Sequence, residues 1–183
     1  MPSYALRVAA LAAFVAGASA FPITARAASE PALAGTWLGS LEYRDFGNGA
    51  RVVLPTLLTV GRGAGGFEFF YTFDDGGGKV VRDRERVTLD LAARRYVVAD
   101  RDGGNADAYR IETVDGFADD GAGGTFTALG SGTENGAAVD VRETVTLTPT
   151  ALVLLRETRP RDSSGDFLFR HRYRFSRLSL APR

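Results

Sequence analysis

From residue 35 onward, apolar and polar residues alternate in short runs that glycine, aspartate and asparagine separate. A period of two is typical of β-strands that bury one face and expose the other. The alternation predicts ten strands, at Gly35–Arg44, Arg51–Val60, Gly66–Asp74, Lys79–Leu91, Arg94–Asp100, Ala108–Val114, Gly124–Gly130, Ala138–Thr148, Ala151–Arg159 and Asp166–Leu178.

The predicted strands follow one another through short turns, such as Asp74–Gly78 and Asn135-Gly136, whose residues readily adopt positive φ. Gly61–Gly66 is predicted as a loop. A long antiparallel meander loses its exposed edges by closing on itself. The pattern therefore predicts an all-β fold, a single antiparallel up-and-down β-barrel of about ten strands. The alternative is a β-sandwich, which needs longer crossover connections than this chain offers.

Strand alternation also predicts which side chains share the barrel interior. In the third predicted strand, Phe67, Phe69, Tyr71 and Phe73 lie on one face. The last predicted strand carries arginines on one face and rings on the other, and those rings are Phe167, Phe169, His171, Tyr173 and Phe175.

Three predicted strand segments are apolar on both faces: Val52–Leu54, Tyr96–Val98 and Leu152–Leu155. We expect a second copy of the chain or a terminal segment to cover their outer sides. The pattern thus leaves a homo-oligomer open.

The first residues have the layout of a secretory signal peptide. Arg7 supplies a positive charge, Val8–Ala16 is a short apolar run, and small residues precede two cleavage points. The run is too short to span a bilayer. Residues 1–27 are therefore predicted as a signal peptide, cleaved after Ala20 or Ala27, and residues 28–183 as one β-barrel domain. We expect an exported protein, periplasmic or secreted, that is not integral to a membrane.

Composition and charge narrow the chemistry. The chain has no cysteine, which excludes thiol catalysis, thiolate zinc sites and disulfides. Its formal net charge is zero, so no surface for nucleic acid is predicted. Seven arginines are expected to make the outer face of the C-terminal hairpin positive, with Glu157 and Asp162 pairing part of it. They are Arg156, Arg159, Arg161, Arg170, Arg172, Arg174 and Arg177.

The start of the first strand carries the motif closest to a family signature, Gly35-Thr36-Trp37 followed by Gly39. It resembles the G-x-W start of lipocalins and related calycin barrels. The resemblance implies that Trp37 plugs one end of the barrel, and that Arg174 or Arg177 stacks on it as a cation–π partner. It also implies a generic ligand cavity, with no particular ligand attached.

The same segment is partly similar to nitrobindin-type haem barrels, which open with alternating glycines around a tryptophan. Leu41 stands where those barrels have another glycine, and no Tyr-Pro pair follows. In such barrels a late strand supplies the axial histidine, and His171, the single histidine here, lies on the last predicted strand. The other interpretation makes His171 a structural residue that is hydrogen-bonded to a neighbouring strand. Haem is the one cofactor that the sequence leaves open.

Other chemistry finds less support in the sequence. Asp100, Asp102, Asn105 and Asp107 form an oxygen-rich loop, but their spacing misses the EF-hand pattern and favours a hairpin turn. Any serine triad would need His171, and no serine lies in a nucleophile elbow. An enzyme would then use His171, whose titration we expect near neutrality.

Acid–base catalysis by a carboxylate inside the barrel remains a further alternative. Glu42 or Glu143 could point inward and work with a tyrosine.

The sequence favours a non-catalytic barrel that binds a small apolar or amphipathic molecule. The alternatives are a packed barrel that acts through its surface as a structural or interaction module, and a haem-binding barrel that uses His171. The residues predicted to line the ligand cavity are Trp37, Tyr43, Phe69, Tyr71, Phe169, His171 and Tyr173.

Overall fold

A computed structural model describes residues 32–45, 47–117 and 123–178. The predicted signal peptide, with its cleavage points after Ala20 and Ala27, lies outside the described residues. Ten strands make up the fold: β1 (Gly35–Arg44), β2 (Arg51–Gly63), β3 (Gly66–Asp74), β4 (Val80–Asp90), β5 (Arg95–Asp100), β6 (Ala106–Asp115), β7 (Gly124–Glu134), β8 (Ala137–Leu147), β9 (Ala151–Pro160) and β10 (Leu168–Arg177).

The ten strands form one closed antiparallel barrel in which each strand pairs with its neighbours in sequence. β1 closes the barrel because it pairs with β2 on one side and with β10 on the other. The predicted up-and-down barrel is confirmed, and the β-sandwich is excluded. Within the described residues, no helix is long and apolar enough to cross a membrane.

Tight turns with positive φ connect several strands. Asn135 and Gly136 have φ values of 48° and 78°, which fits the predicted two-residue hairpin between β7 and β8. The predicted loop Gly61–Gly66 is wrong, because β2 runs on to Gly63 and pairs with β3. The connection there shrinks to Ala64 and Gly65, and Gly65 has a φ of 82°.

An apolar core fills the end of the barrel where β1 begins. Its fully buried side chains include Trp37, Leu58, Ile111, Phe126 and Leu147. Leu33 and Phe117, which flank strands at this end, are also buried in the core cluster. This half of the barrel is therefore packed by its own side chains, as the interiors of small barrels commonly are.

A β-bulge interrupts the alternation of β10 between Phe169 and His171. Phe169 is the register partner of Glu157, whose carboxylate bonds Arg142 on the outer wall, whereas His171 is the partner of inward-facing Arg156. Arg51 covers the Phe169 ring at 4.9 Å. The predicted shared face is thus wrong for Phe169.

The prediction fails for Phe167 as well. Arg142 and Arg159 of the outer wall lie 4.5 and 4.6 Å from the centroid of its ring. One extra residue in a strand sends every side chain beyond it to the other face.

Ion pairs cover much of the outer wall. Arg159 pairs with Asp140 at 3.1 Å and Arg172 pairs with Glu42 at 2.6 Å. Glu157 pairs with Arg142 of β8, not with an arginine of the hairpin. The expected positive outer face is therefore largely neutralised by carboxylates from neighbouring strands.

Arg156 is a correction to the predicted outer set of arginines. Its strand neighbours Leu152 and Leu154 face inward, and Arg156 shares their side of β9.

Of the segments that are apolar on both faces, Val52–Leu54 leaves Val53 59% exposed on the outside.

Candidate functional site

Trp37 and Arg177 close one end of the barrel. The Trp37 side chain is fully buried, and its Nε1 donates a hydrogen bond to the Leu33 carbonyl oxygen at 3.0 Å. The guanidinium carbon of Arg177 lies 4.1 Å from the centroid of the Trp37 ring. Arg177 is held there by hydrogen bonds to the carbonyl oxygens of Ala34 and Pro149. Of the two arginines that the resemblance implied, Arg177 is the one that stacks on Trp37.

An interior cavity of about 80 Å³ lies in the other half of the barrel. Several water molecules could occupy that volume. Aromatic, aliphatic and ionisable side chains line it together: Phe69, Tyr71, Glu85, Val87, Tyr96, Val98, Glu143, Leu154, Arg156, His171 and Tyr173.

A second cavity of about 330 Å³ occupies the barrel mouth, where β1 ends and β2 begins. It shares His171 and Tyr173 with the interior cavity, so these two side chains lie where the cavities meet. The mouth cavity is lined by Leu41, Tyr43, Leu54, Phe73, Asp75, Val81, Arg170, His171 and Tyr173.

The two cavities bring together most of the residues predicted to line a ligand site. Phe69 and Tyr71 line the interior cavity, Tyr43 lines the mouth cavity, and His171 and Tyr173 line both.

Two predicted lining residues lie elsewhere. Trp37 belongs to the packed end of the barrel, and the β10 bulge turns Phe169 to the outer wall.

Gly130 of β7 makes room for Tyr109 in the interior. A Cβ atom on Gly130 would overlap the ring of Tyr109, whereas one on Gly132 would make only ordinary contact with Arg156, 3.6 Å from its Nη2. Alternating small and large residues is how a narrow barrel accommodates bulky inward groups.

Arg156 is the centre of a polar network inside the barrel. Its Nη1 donates to Glu143 Oε1 at 3.2 Å and to the Tyr109 hydroxyl at 3.1 Å. The Tyr109 hydroxyl donates in turn to Asp107 Oδ2 at 3.0 Å. Arg156 thereby offsets part of the desolvation of the Glu143 carboxylate, as a buried ion pair requires.

The two inward glutamates are hard to ionise. Burial, together with the negative groups Glu85 and Asp107, raises the pKa of Glu143 to about 8 against the opposing effect of Arg156. Burial also raises the pKa of Glu85 to about 7, with Asp83 contributing. Near neutral pH Glu85 is therefore about half-protonated and Glu143 is mostly protonated, so the pair holds protons that it can give or take.

The Tyr71 hydroxyl is close enough to Glu85 to lower the pKa of its carboxyl group, although burial outweighs this effect. No arginine or lysine of the described residues forms an ion pair with Glu85. Glu85 is therefore the inward carboxyl group whose charge is least compensated.

His171 remains neutral inside the barrel. Burial, together with the positive charges of Arg156 and Arg170, lowers its pKa to about 3. The expected titration of His171 near neutrality is therefore wrong, and Glu85 and Glu143 titrate there instead. The imidazole packs edge-on against Tyr173, with the ring centroids 5.6 Å apart. The imidazole makes no hydrogen bond within the described part of the chain. The interpretation of His171 as a structural residue hydrogen-bonded to a neighbouring strand is therefore not supported.

Three inward ionisable residues illustrate what sequence reasoning could find. Glu143 points inward, as one alternative held, whereas Glu42 pairs with Arg51 and Arg172 on the outer wall. Glu85 was missed, although it lies two residues before the inward Val87, and Arg156 was placed outside although it follows Leu154 by two. Strict alternation of the strand residues assigns both side chains to the interior. The general rule that charged residues face water argues against that assignment, which is why they were not predicted.

No metal centre is evident in the described residues, since no three histidine, cysteine, aspartate or glutamate side chains form a ligand group. The Asp100 carboxylate accepts hydrogen bonds from the backbone and side-chain nitrogens of Asn105. The oxygen-rich loop is thus a hairpin turn stabilised by its own side chains.

Comparison with known proteins adds no relative: no family model matches the chain, and no curated protein matches it.

Proposed function

We propose that the barrel binds a small amphipathic molecule, which enters through the mouth cavity and places its polar end at the interior cavity. The observation that carries this proposal is the pair of adjoining cavities that share His171 and Tyr173. Ligand sites of proteins are concave and mostly apolar, with a few polar groups that fix orientation. The mouth and interior cavities combine these two kinds of surface along one path.

The path has a definite direction. Leu41, Leu54, Phe73 and Val81 offer an apolar wall at the mouth. Glu85, Glu143 and Arg156 lie deeper in the barrel. Beyond them the packed core around Trp37 ends the path. An amphipathic ligand would therefore enter with its polar group first and leave its apolar body in the mouth.

Two tryptophan substitutions at neighbouring positions test this proposal. Val81 lines the mouth cavity, whereas its neighbour Val80 lies on the outer wall beside Leu38 and Leu57, and both valines are partly exposed. Val81→Trp should fill the mouth and weaken binding of the neutral fluorescent probe N-phenyl-naphthylamine by about tenfold or more, or ~1.4 kcal/mol. Val80→Trp should leave probe affinity unchanged. Equal affinity of both variants and the original chain would contradict the proposal.

Haem binding is a second candidate function, and the observation that favours it is the neutral imidazole of His171 without a hydrogen bond. Such an imidazole has a lone pair that can ligate iron. A porphyrin is too large for the interior cavity of about 80 Å³, so it would have to occupy the mouth. Visible spectra of the exported protein test this candidate, which predicts a Soret band that His171→Ala abolishes.

A surface role is the third candidate, and exposed apolar side chains on the outer wall favour it. Leu38 and Leu57 are register partners on β1 and β2, and they are 55% and 37% exposed. Sedimentation velocity over a range of concentrations tests self-association through this wall. A species that stays monomeric throughout would remove that form of the candidate.

A further inference from the structure

Carboxyl groups outnumber guanidinium groups around the interior cavity. Glu85 and Glu143 line it, and the charges of Asp83 and Asp107 act on Glu85 from its surroundings. Arg156 is the cationic side chain of the lining. The cavity therefore has more carboxyl groups than cationic groups. Part of this excess negative charge is removed because the carboxyl groups are partly protonated.

Arg156 already shares its charge with carboxyl groups of the protein, although its Nε and Nη2 make no hydrogen bond among the described residues. Its Nη1 already donates to Glu143 and Tyr109, and it lies 3.7 Å from the Asp107 carboxylate. A ligand carboxylate placed beside Arg156 would face three carboxyl groups of the protein, Glu85 among them. An anion there would compete with these carboxyl groups for Arg156 and would be repelled by whichever of them is ionised, so an anion is disfavoured.

His171 points independently to a ligand that donates hydrogen bonds. It is largely buried, lies where the two cavities meet, and has no hydrogen-bond partner within the described residues. A neutral imidazole has one nitrogen that accepts, and here that acceptor is open to a hydrogen-bond donor in the cavity. Burial, and after it the charges of Arg156 and Arg170, keeps a proton off this ring.

Aromatic rings surround the same position. The ring centroids of Tyr71 and Tyr173 are 5.1 Å apart, and the Tyr71 hydroxyl also interacts with Glu85. Aromatic faces attract cations, most strongly where water is excluded. A cation held between Glu85 and His171 would lie beside these rings.

We infer that the polar group of the ligand is an organic ammonium ion, which donates hydrogen bonds to Glu85 and His171 and packs against Tyr71 and Tyr173. This inference rests on the proposed function and specifies its ligand class. A metal ion suits the site less well, because no metal-ligand group of three side chains forms among the described residues. The apolar body of the amine would occupy the mouth cavity beside Leu54 and Val81.

Ammonium binding should release protons. The groups that face Glu85 are Tyr71, Asp83, Asp107, Glu143 and Arg156. Burial and the neighbouring carboxylates raise the pKa of Glu85 to about 7 and that of Glu143 to about 8. An opposite charge favours the ionised carboxylate, so the arriving cation displaces a proton from this pair.

Isothermal titration calorimetry of the exported chain with three probes that share the same apolar chain tests the inference. Hexylammonium, hexanol and hexanoate share a hexyl chain and differ in head-group charge. At neutral pH hexylammonium should bind about tenfold or more tighter than hexanol, which corresponds to ~1.4 kcal/mol, and hexanoate should bind most weakly. The apparent binding enthalpy of hexylammonium should vary with the ionisation enthalpy of the buffer, since its binding releases protons.

Glu85→Gln should abolish the tenfold preference for hexylammonium over hexanol. Glu68→Gln is the matched control, because Glu68 pairs with Arg84 and Arg86 on the outer wall of the adjacent strand. It should leave all three affinities unchanged.

The results separate this inference from the proposed function. Equal binding of hexylammonium and hexanol, blocked in Val81→Trp, would overturn the ammonium inference and support the amphipathic site. Tightest binding of hexanoate, or a Glu85→Gln variant that keeps its preference for the ammonium, would also overturn the inference. Failure of all three probes to bind would count against the inference and the proposed function together.

Discussion

Glu85 and Glu143 are inward carboxyl groups that the barrel disfavours in their charged form. Their pKa values of about 7 and about 8 lie above the ordinary 4.5. Between pH 4.5 and these raised pKa values the folded chain binds more protons than the unfolded chain, so the free energy of unfolding falls as pH rises. His171, with a pKa lowered to about 3, acts in the opposite direction. Stability contributed by its neutral form is lost as pH falls from about 6.5 towards 3.

Glu85→Gln should therefore flatten the pH dependence of stability. From pH 5 to pH 8 the free energy of unfolding of the original chain should fall, relative to this variant, by no more than about 3 kcal/mol, at about 1.4 kcal/mol per pK unit. Urea unfolding at each pH measures the difference. Arginines on the outer wall lower the pKa of Glu68, so Glu68→Gln should leave the slope in this range unchanged. A Glu85→Gln variant with the original slope would contradict the assigned pKa.

Gly39 is a position where the size of one residue decides how closely two strands can pack. A Cβ atom there would overlap the carbonyl oxygen of Arg174 on β10, which is backbone and cannot turn away. Gly39→Ala should lower the free energy of unfolding by about 1–3 kcal/mol. Gly61 has no atom within 4 Å of such a Cβ, so Gly61→Ala should change stability by about 0.5 kcal/mol or less. Equal losses in the two variants would refute this packing argument.

The β10 bulge is the element that most changes the predicted interior. It separates Phe169 on the outer wall from Tyr173 and Phe175 inside. Phe175 is buried, whereas Phe169 lies half-exposed under Arg51. The two phenylalanines of one strand therefore have different surroundings.

Alanine substitution should distinguish these surroundings. Phe175→Ala should cost about 3–5 kcal/mol, as expected for a buried phenylalanine, and Phe169→Ala should cost markedly less. Denaturant unfolding of both variants gives the comparison. If Phe169→Ala were as destabilising as Phe175→Ala, the bulge would be misplaced.

Element by element, alternation and turn residues carried most of the fold prediction. All ten strands lie near their predicted positions because period two and turns such as Asn135-Gly136 are local signals. The bulge could not be predicted, since residues 167–171 still alternate in the sequence and the register depends on pairing with β9. Arg156 was misplaced because its counter-charges, Glu143 and Asp107, come from other strands that only the closed barrel brings near.

At the scale of the whole molecule, the barrel has two unlike ends. The Trp37 end is closed by a packed apolar core and by Arg177, while the other end opens through a mouth cavity of about 330 Å³. Ionisable groups lie between them, around the interior cavity. Cavity volume depends on how all ten strands pack together, so the sequence could indicate lining residues but not the space between them.

The imidazole of His171 reports directly on this arrangement, because the chain has one histidine and its NMR signal is therefore unambiguous. The decisive measurement follows that signal in the folded chain as hexylammonium is added at neutral pH. Our account predicts a neutral imidazole whose signal shifts to saturation, and a Val81→Trp variant in which the shift is lost. A His171 signal that titrates with a midpoint near 6.5, as in open solvent, and ignores the ligand would contradict a ligand site inside the barrel.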